Sequence, residues 1–240
     1  MAYYFIFPEK DTTLYSHPDR TKMNSGNDEI LEIVKEKGST DSIYYPSRIL
    51  IKFPNKDIKT TISNIIGSST FNNGVTKSTL QLSSTEHKNL ISVLNLNVYP
   101  SYKSWDGGTG RYSNLPTGSN GASWIYRDND TTKTQWATSS FVGNTTGSIN
   151  ASGITVGGGE WYTNYQGSQQ FLKGSTLDTD IDVTNIVKQF SSSLFAGGTQ
   201  DNAVGNLTIG QYIVGGISGI DNNGFIIKQP NTTEMTRYLF

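Results

Sequence analysis

Cysteine is absent from the 240 residues, and histidine occurs only as His17 and His87. Without cysteine there are no disulfides or thiolate–zinc sites, so packing or association must hold the chain together. Neither histidine has a second at metal-ligand spacing or sits in a nucleophile motif, leaving zinc hydrolases, serine triads and Cys–His pairs without an anchor. Charge of one sign is also lacking. With 19 basic and 20 acidic side chains the net charge is -1, which offers no sustained attraction to nucleic acid or anionic lipid. Long apolar runs are missing too. The opening Ala2–Phe7 is apolar, but Pro8, Glu9, Lys10 and Asp11 follow at once. It is too short to span a membrane and lacks the basic head and small-residue exit of a signal peptide, so no membrane insertion is expected and a cytoplasmic origin is the default.

Helical periodicity is scarce. The one clear apolar stripe at helical spacing is Val183, Ile186, Val187 and Phe190, with Asp182 or Thr184 as cap, which predicts one short helix near 183–190. Heptads and fixed-period repeats are absent. Strand signals run throughout. They cover Tyr3–Phe7, Glu29–Lys35, Arg48–Phe53, Leu90–Tyr99, Ser123–Tyr126, Gly153–Val156, Leu207–Val214 and Gly224–Lys228. In Arg48–Phe53 the alternation places Ile49, Ile51 and Phe53 on one face. Leu94, Leu96 and Val98 share another, and Pro100 ends that run. The pattern predicts an all-β chain. Charge is concentrated in residues 1–60, with Gly, Ser, Thr and Asn prevailing afterwards. This shift reads either as a boundary near 60–75 or as the charged outer faces of early strands in a single fold.

Candidate chemistry is thin. Asp178, Asp180 and Asp182 alternate, so an extended chain would place all three on one face, where they form a weak calcium candidate. The plainer reading is a capped helix entry with Asp178 and Asp180 solvated. Asp128, Asn129 and Asp130 read as an Asx-type turn. Trp105–Arg111 and Gly157–Glu160 lack the strand–loop–helix context of a phosphate loop and read as tight loops with positive φ beneath bulky rings. A glycosidase would need two facing carboxylates in a cleft, and little points to them. No catalytic residue and no cofactor are expected.

Aromatic residues concentrate in the centre. All four tryptophans lie between 105 and 161, with tyrosines beside them. One reading is a second core folded beneath long loops. Another is an interaction surface built from Trp105, Tyr112, Trp124, Trp136, Trp161 and Tyr162 that stacks sugar or binds protein. A single-stranded nucleic acid track is the weakest, because Lys103, Arg111, Arg127 and Lys133 are too few. At the other end, Tyr3, Tyr4, Phe5 and Phe7 either dock on a partner or close the fold.

These segments carry a resemblance. Trp105–Arg111, Asn120–Asp128, Trp136 and Gly157–Glu160, with Asn27–Ile33, Arg48–Phe53, Ile181–Val187 and Asn223–Lys228, resemble the DNRLRE-type β-sandwich family. The resemblance spans residues 11–240, with residues 1–10 as an N-terminal strand or docking segment. It implies a jelly-roll-like antiparallel β-sandwich akin to carbohydrate-binding modules, with long Gly- and aromatic-rich loops, lacking its last strand or strands through truncation or donation from another subunit. It transfers no catalytic residue. The function it implies is a non-enzymatic structural component of a tailed-phage virion, notably of cyanophages. Such a chain would assemble in the host cytoplasm as a homo-oligomer with tail, neck or capsid-surface proteins. The alternative is a carbohydrate- or receptor-binding module displayed on a fibre or particle surface, with a surface glycan as its partner.

Overall fold

Arg48–Ile51 forms the centre of the molecule because it is buried on both faces, not on one. In the computed structural model Ile49 and Ile51 are sealed on one side while Arg48 and Leu50 are sealed on the other. The structure describes residues 3–67, 71, 76–88, 93–114, 120–130, 132–137, 145–148, 157–172, 178–196, 219–230 and 236–240. The central strand is β3 (Tyr44–Lys52), preceded by β1 (Lys10–Tyr15) and β2 (Glu32–Lys37). It divides its pairing. Residues 44–46 face β2, residues 47–52 face β1, and residues 49–51 also face β13 (Phe225–Lys228), all antiparallel. Pro46 has no N–H to give, and at this junction hydroxyls complete the bonding. Ser47 Oγ accepts from Val34 N and donates to the Glu32 carbonyl, both at 2.7 Å.

The main sheet has eight strands. Its order is β11 (Gly167–Leu172), β6 (Val93–Pro100), β13, β3, β2, β14 (Thr236–Leu239) and β5 (Glu86–Lys88), with β1 attached to β3. Small two-stranded sheets pair β4 (Thr79–Leu80) with β12 (Ile181–Asp182), β7 (Tyr126–Asp128) with β8 (Thr134–Gln135), and β9 (Thr145–Ser148) with β10 (Gly157–Tyr162). Early and late segments of the chain thus share one sheet. Phe240 is tucked beside Leu31 through reciprocal backbone bonds of 2.8 Å and joins the core.

Among the described residues, two long helical elements flank the sheet. The first, α1 (Asn55–Thr60), continues as a π-helical segment over Thr61–Ile66 and ends at Gly67 with φ +80°. Ile58 and Ile62, one turn apart, bury against Phe71 in a satellite cluster that also takes in Ile6 and Val187. The second, α2 (Thr184–Ala196), is capped by Asp182, whose Oδ1 accepts the Thr184 N–H at 2.9 Å. Val183, Ile186 and Phe190 lie against Ile49, Ile51, Leu96, Val98, Phe171 and Phe225 in the largest core cluster. Burying each large side chain contributes about 1.5–3 kcal/mol.

The observed architecture corrects the sandwich expectation. This is a mixed α/β fold with two substantial helices and open, unclosed sheets, not an all-β jelly roll. One face of the sheet is covered by Val183, Ile186 and Phe190 of the α2 region together with Leu80 and Ile181 of the small β4–β12 sheet. The short helix expected near 183–190 is a 13-residue element, and the Asn55–Ile66 helix was not anticipated. The jelly-roll and sandwich labels therefore do not describe the chain, and the fold lends nothing to the phage-protein and cyanophage labels that came with them. Tyr3–Phe7 belongs to no strand. The strands expected at 153–156 and 207–214 lie outside the described residues.

Candidate functional site

The face of the sheet opposite the helices carries the aromatic layer. Trp105, Trp124, Trp136 and Trp161 are at most 5% exposed and pack with Leu14, Leu50, Ala122 and Ile226. Their polar edges are anchored within the protein. Trp105 Nε1 donates to the Asn223 carbonyl at 2.8 Å, and Trp136 Nε1 to the Ser123 carbonyl at 2.9 Å. No tryptophan therefore presents an open face to a ligand, so the described geometry is that of the second core. Arg48, from β3, inserts its guanidinium beside two of the rings, 4.7 Å from Trp124 and 5.0 Å from Trp161, and donates to the Gly158 carbonyl at 2.5 Å. Burial lowers its pKa from the usual arginine range. Gly158 has φ +76°, and a Cβ there would meet the Trp124 ring at 2.6 Å. Glycine is required by both conformation and space.

A second buried group holds the loop above this layer. Asn24 is 1% exposed and all its amide bonds go to backbone. Its Nδ2 donates to the carbonyls of Gly107 and Ala122, both at 2.8 Å. Its Oδ1 accepts from Gly110 N at 2.8 Å and Gly26 N at 3.1 Å. One side chain thereby closes the Gly107–Ala122 loop onto the segment after β1. Sequence reading missed Asn24 and Arg48. Asn24-Ser25-Gly26-Asn27 looks like any turn, because the loop carbonyls that Asn24 holds are 83 and 98 residues further along the chain.

Lys228 sits where the aromatic layer ends. Its ammonium lies 4.6 Å from the Trp161 ring and 6.0 Å from that of Tyr99. Burial, then the charge of Arg48, push its pKa down to about 8. Between about 8 and the ordinary lysine value of 10.5 the unfolded chain holds the proton and the folded chain has shed it, so the Lys228 contribution to stability rises with pH across that window. Below it the folded state carries the full burden of a partly buried charge. Lys228→Met should therefore stabilise the protein by about 1–2 kcal/mol at pH 7, the relief being partly offset by the lost cation–π contact. The gain should shrink toward pH 10. Urea unfolding at the two pH values checks it, and an equal difference at both would contradict the assignment.

The remaining candidate residues disperse. Tyr112 Oη accepts from Arg20 Nη1 at 2.9 Å, and Tyr162 stands edge-on to Tyr102 with centroids 5.2 Å apart. Burial raises the pKa of Tyr162. Asp178 Oδ1 accepts Ser84 N at 2.8 Å, Asp182 caps α2, and Asp180 donates its own N–H to Gln169 Oε1 at 2.7 Å. The hydrogen bond from Thr184 N holds Asp182 below the ordinary carboxylate range. Among the described residues no group of three or more His, Cys, Asp or Glu side chains could hold a metal, so the three aspartates do not form the calcium row. Asp128 Oδ1 accepts Asp130 N at 2.9 Å, which is the Asx turn.

The docking residues stand apart from all of these. Ile6 packs toward α1, while Tyr3, Tyr4, Phe5 and Phe7 are 77%, 54%, 67% and 77% exposed. Tyr3, Phe5 and Phe7 follow one another at two-residue spacing with Tyr4 exposed beside them, while Ile6 holds the segment to the body. Ile65 of the π-helical segment is also exposed. Comparison with known proteins finds no family model, curated protein or solved structure that matches the chain, and the DNRLRE-type resemblance rests on its residues alone.

Proposed function

We propose that the protein is a non-catalytic assembly module that docks on neighbouring protein subunits, copies of itself first, through the aromatic row Tyr3, Phe5 and Phe7. The observation that carries this reading is the outward exposure of three large rings at two-residue spacing, with Ile6 seated on the body. Exposed aromatics of this size are costly to leave in water. Each buries about 150–250 Å² when covered, so the row accounts for roughly half or more of the ~800 Å² per partner of a standard interface. A non-catalytic role is further supported by where the buried charged groups are spent. Arg48 serves the tryptophans, Glu32 accepts the Tyr15 hydroxyl at 2.6 Å, and Glu160 accepts Ala137 N at 2.7 Å. A virion as the setting is supported by the sequence resemblance alone.

Sedimentation velocity over a concentration series tests the docking. The wild-type chain should self-associate, and the triple variant Tyr3→Ser, Phe5→Ser, Phe7→Ser should stay monomeric with an unchanged melting temperature, since these rings leave the core untouched. Identical sedimentation of the two proteins at every concentration would sink the reading.

A further inference from the structure

The chain ahead of β1 is tied down at one point. Among the described residues no hydrogen bond joins residues 3–8 to the body, and of these six only Ile6 is even half-buried. It packs against the satellite cluster of Ile58, Ile62 and Phe71. Firm attachment starts at Glu9. Its N–H donates to the Lys52 carbonyl at 2.8 Å, and its carboxylate pairs with Lys52 Nζ at 2.7 Å. Pro8, just before it, is exposed and has no N–H with which to engage the body. Residues 3–8 are thus a short arm on a fixed pivot, with one aliphatic side chain plugged into a socket.

The socket lies within the molecule's exposed apolar surface. Ile66 packs in the same cluster, and its neighbour Ile65 is 52% exposed. Together with Tyr3, Tyr4, Phe5 and Phe7, it makes five of the seven exposed large apolar side chains among the described residues. Exposed apolar surface gathered in this way marks a place where another molecule sits. An unrelated partner would have to bring its own match to it. A second copy already carries one, a socket that fits Ile6 and an arm of the same length.

We propose that two copies of the chain exchange these arms, each Ile6 leaving its own socket for the equivalent socket of the other copy. The inference rests on the docking reading and names the surface that receives the arm. Because the exchanged contact is the one the single chain makes, its loss and gain cancel. The rings tip the balance, since they stand in water on a single chain and lie between two bodies once the arms cross. Opening costs little, with no hydrogen bond to break and one half-buried isoleucine to withdraw. Pro8 stiffens a short hinge, which favours exchange over closure. Reach decides where the copies meet. From Glu9 back to Ile6 is three residues, about 10 Å at full extension. Each socket therefore comes within that distance of both copies' Glu9, and the two-fold axis passes about 10 Å or less from the pivot. Such an axis closes the assembly at two copies.

The chain has no cysteine of its own, so a pair of thiols can be placed at will. The double variant Ile6→Cys, Ile62→Cys keeps all the exposed rings and puts one thiol on the arm and one in the socket. Sedimentation of the variant and the wild type comes first, and fixes the concentration above which each is a dimer. Because the socket contact cancels, the two should dimerise over the same range, and a variant that alone stayed monomeric would overturn the exchange. The variant is then treated with a short bis-maleimide above and below that concentration, and the joined peptides are identified by mass spectrometry. Above it, the link between residues 6 and 62 should fall almost wholly between chains; below it, within one chain. A link that stays within one chain in the dimer overturns the exchange and leaves docking by the rings intact. The same holds if residues 6 and 62 are joined in neither way, since the arm then occupies neither socket. Monomers at every concentration, for the wild type as well, would overturn the docking reading and the exchange together.

Discussion

Replacing Asn24 by alanine should cost about 4 kcal/mol or more, a large part of the 5–15 kcal/mol that a domain has in total. The substitution strips the partner from two buried carbonyls and two backbone N–H groups at once. Each unmet buried group costs about 1–3 kcal/mol, and water entering the site recovers only part of it. Asn24→Asp is the sharper variant. It keeps the acceptor that serves Gly26 and Gly110 but turns a second oxygen toward the carbonyls of Gly107 and Ala122, where the native amide donates at 2.8 Å. Aspartate should therefore be nearly as damaging as alanine despite its matching shape. Guanidinium unfolding of the three proteins provides the comparison. If Asn24→Asp were as stable as the wild type, the donor half of the hub would have no importance.

The tryptophan layer gives the second large effect. Truncating Trp105, Trp124, Trp136 or Trp161 to alanine should each cost about 3–5 kcal/mol, the range for removing a large buried ring. Trp124 should be the worst of the four. It is fully buried, it flanks Arg48, and its ring fills the space over Gly158. Its loss leaves the Arg48 cation without one of its two aromatic walls. Thermal melts of the four variants check the order. A variant that melted like the wild type would return that ring to the list of candidate ligand platforms.

How much of this could be read from residues alone differs between elements. The α2 stripe of Val183, Ile186, Val187 and Phe190 was plain because four apolar positions fall on one helical face with an aspartate in capping position. The Asn55–Ile66 helix was not. Its anchors Ile58 and Ile62 are correctly spaced, but the β-branched run Thr60-Thr61-Ile62 and the pair Ile65-Ile66 read equally well as strand, and the π-helical segment alters the spacing after Ile62. In β3 the alternation identifies the Ile49–Ile51 face, yet it carries no sign that Arg48 is buried on the other. A buried guanidinium between two indoles depends on rings more than 70 residues away and leaves no local trace. The aromatic clustering was visible in the sequence, whereas its burial depended on the sheet beneath it.

The confinement of every tryptophan to one layer has an optical consequence. Indole emission from this protein reports the docking of the Gly107–Ala122 loop and of β10 onto the sheet, and is nearly blind to the helices on the other side. Those two segments are closed by contacts spanning about a third of the chain, so their entropy of closure must be met late, after the strands they cover exist. Fluorescence recovered during refolding is thus a clock for the final assembly of one face, while circular dichroism follows the strands and helices that precede it.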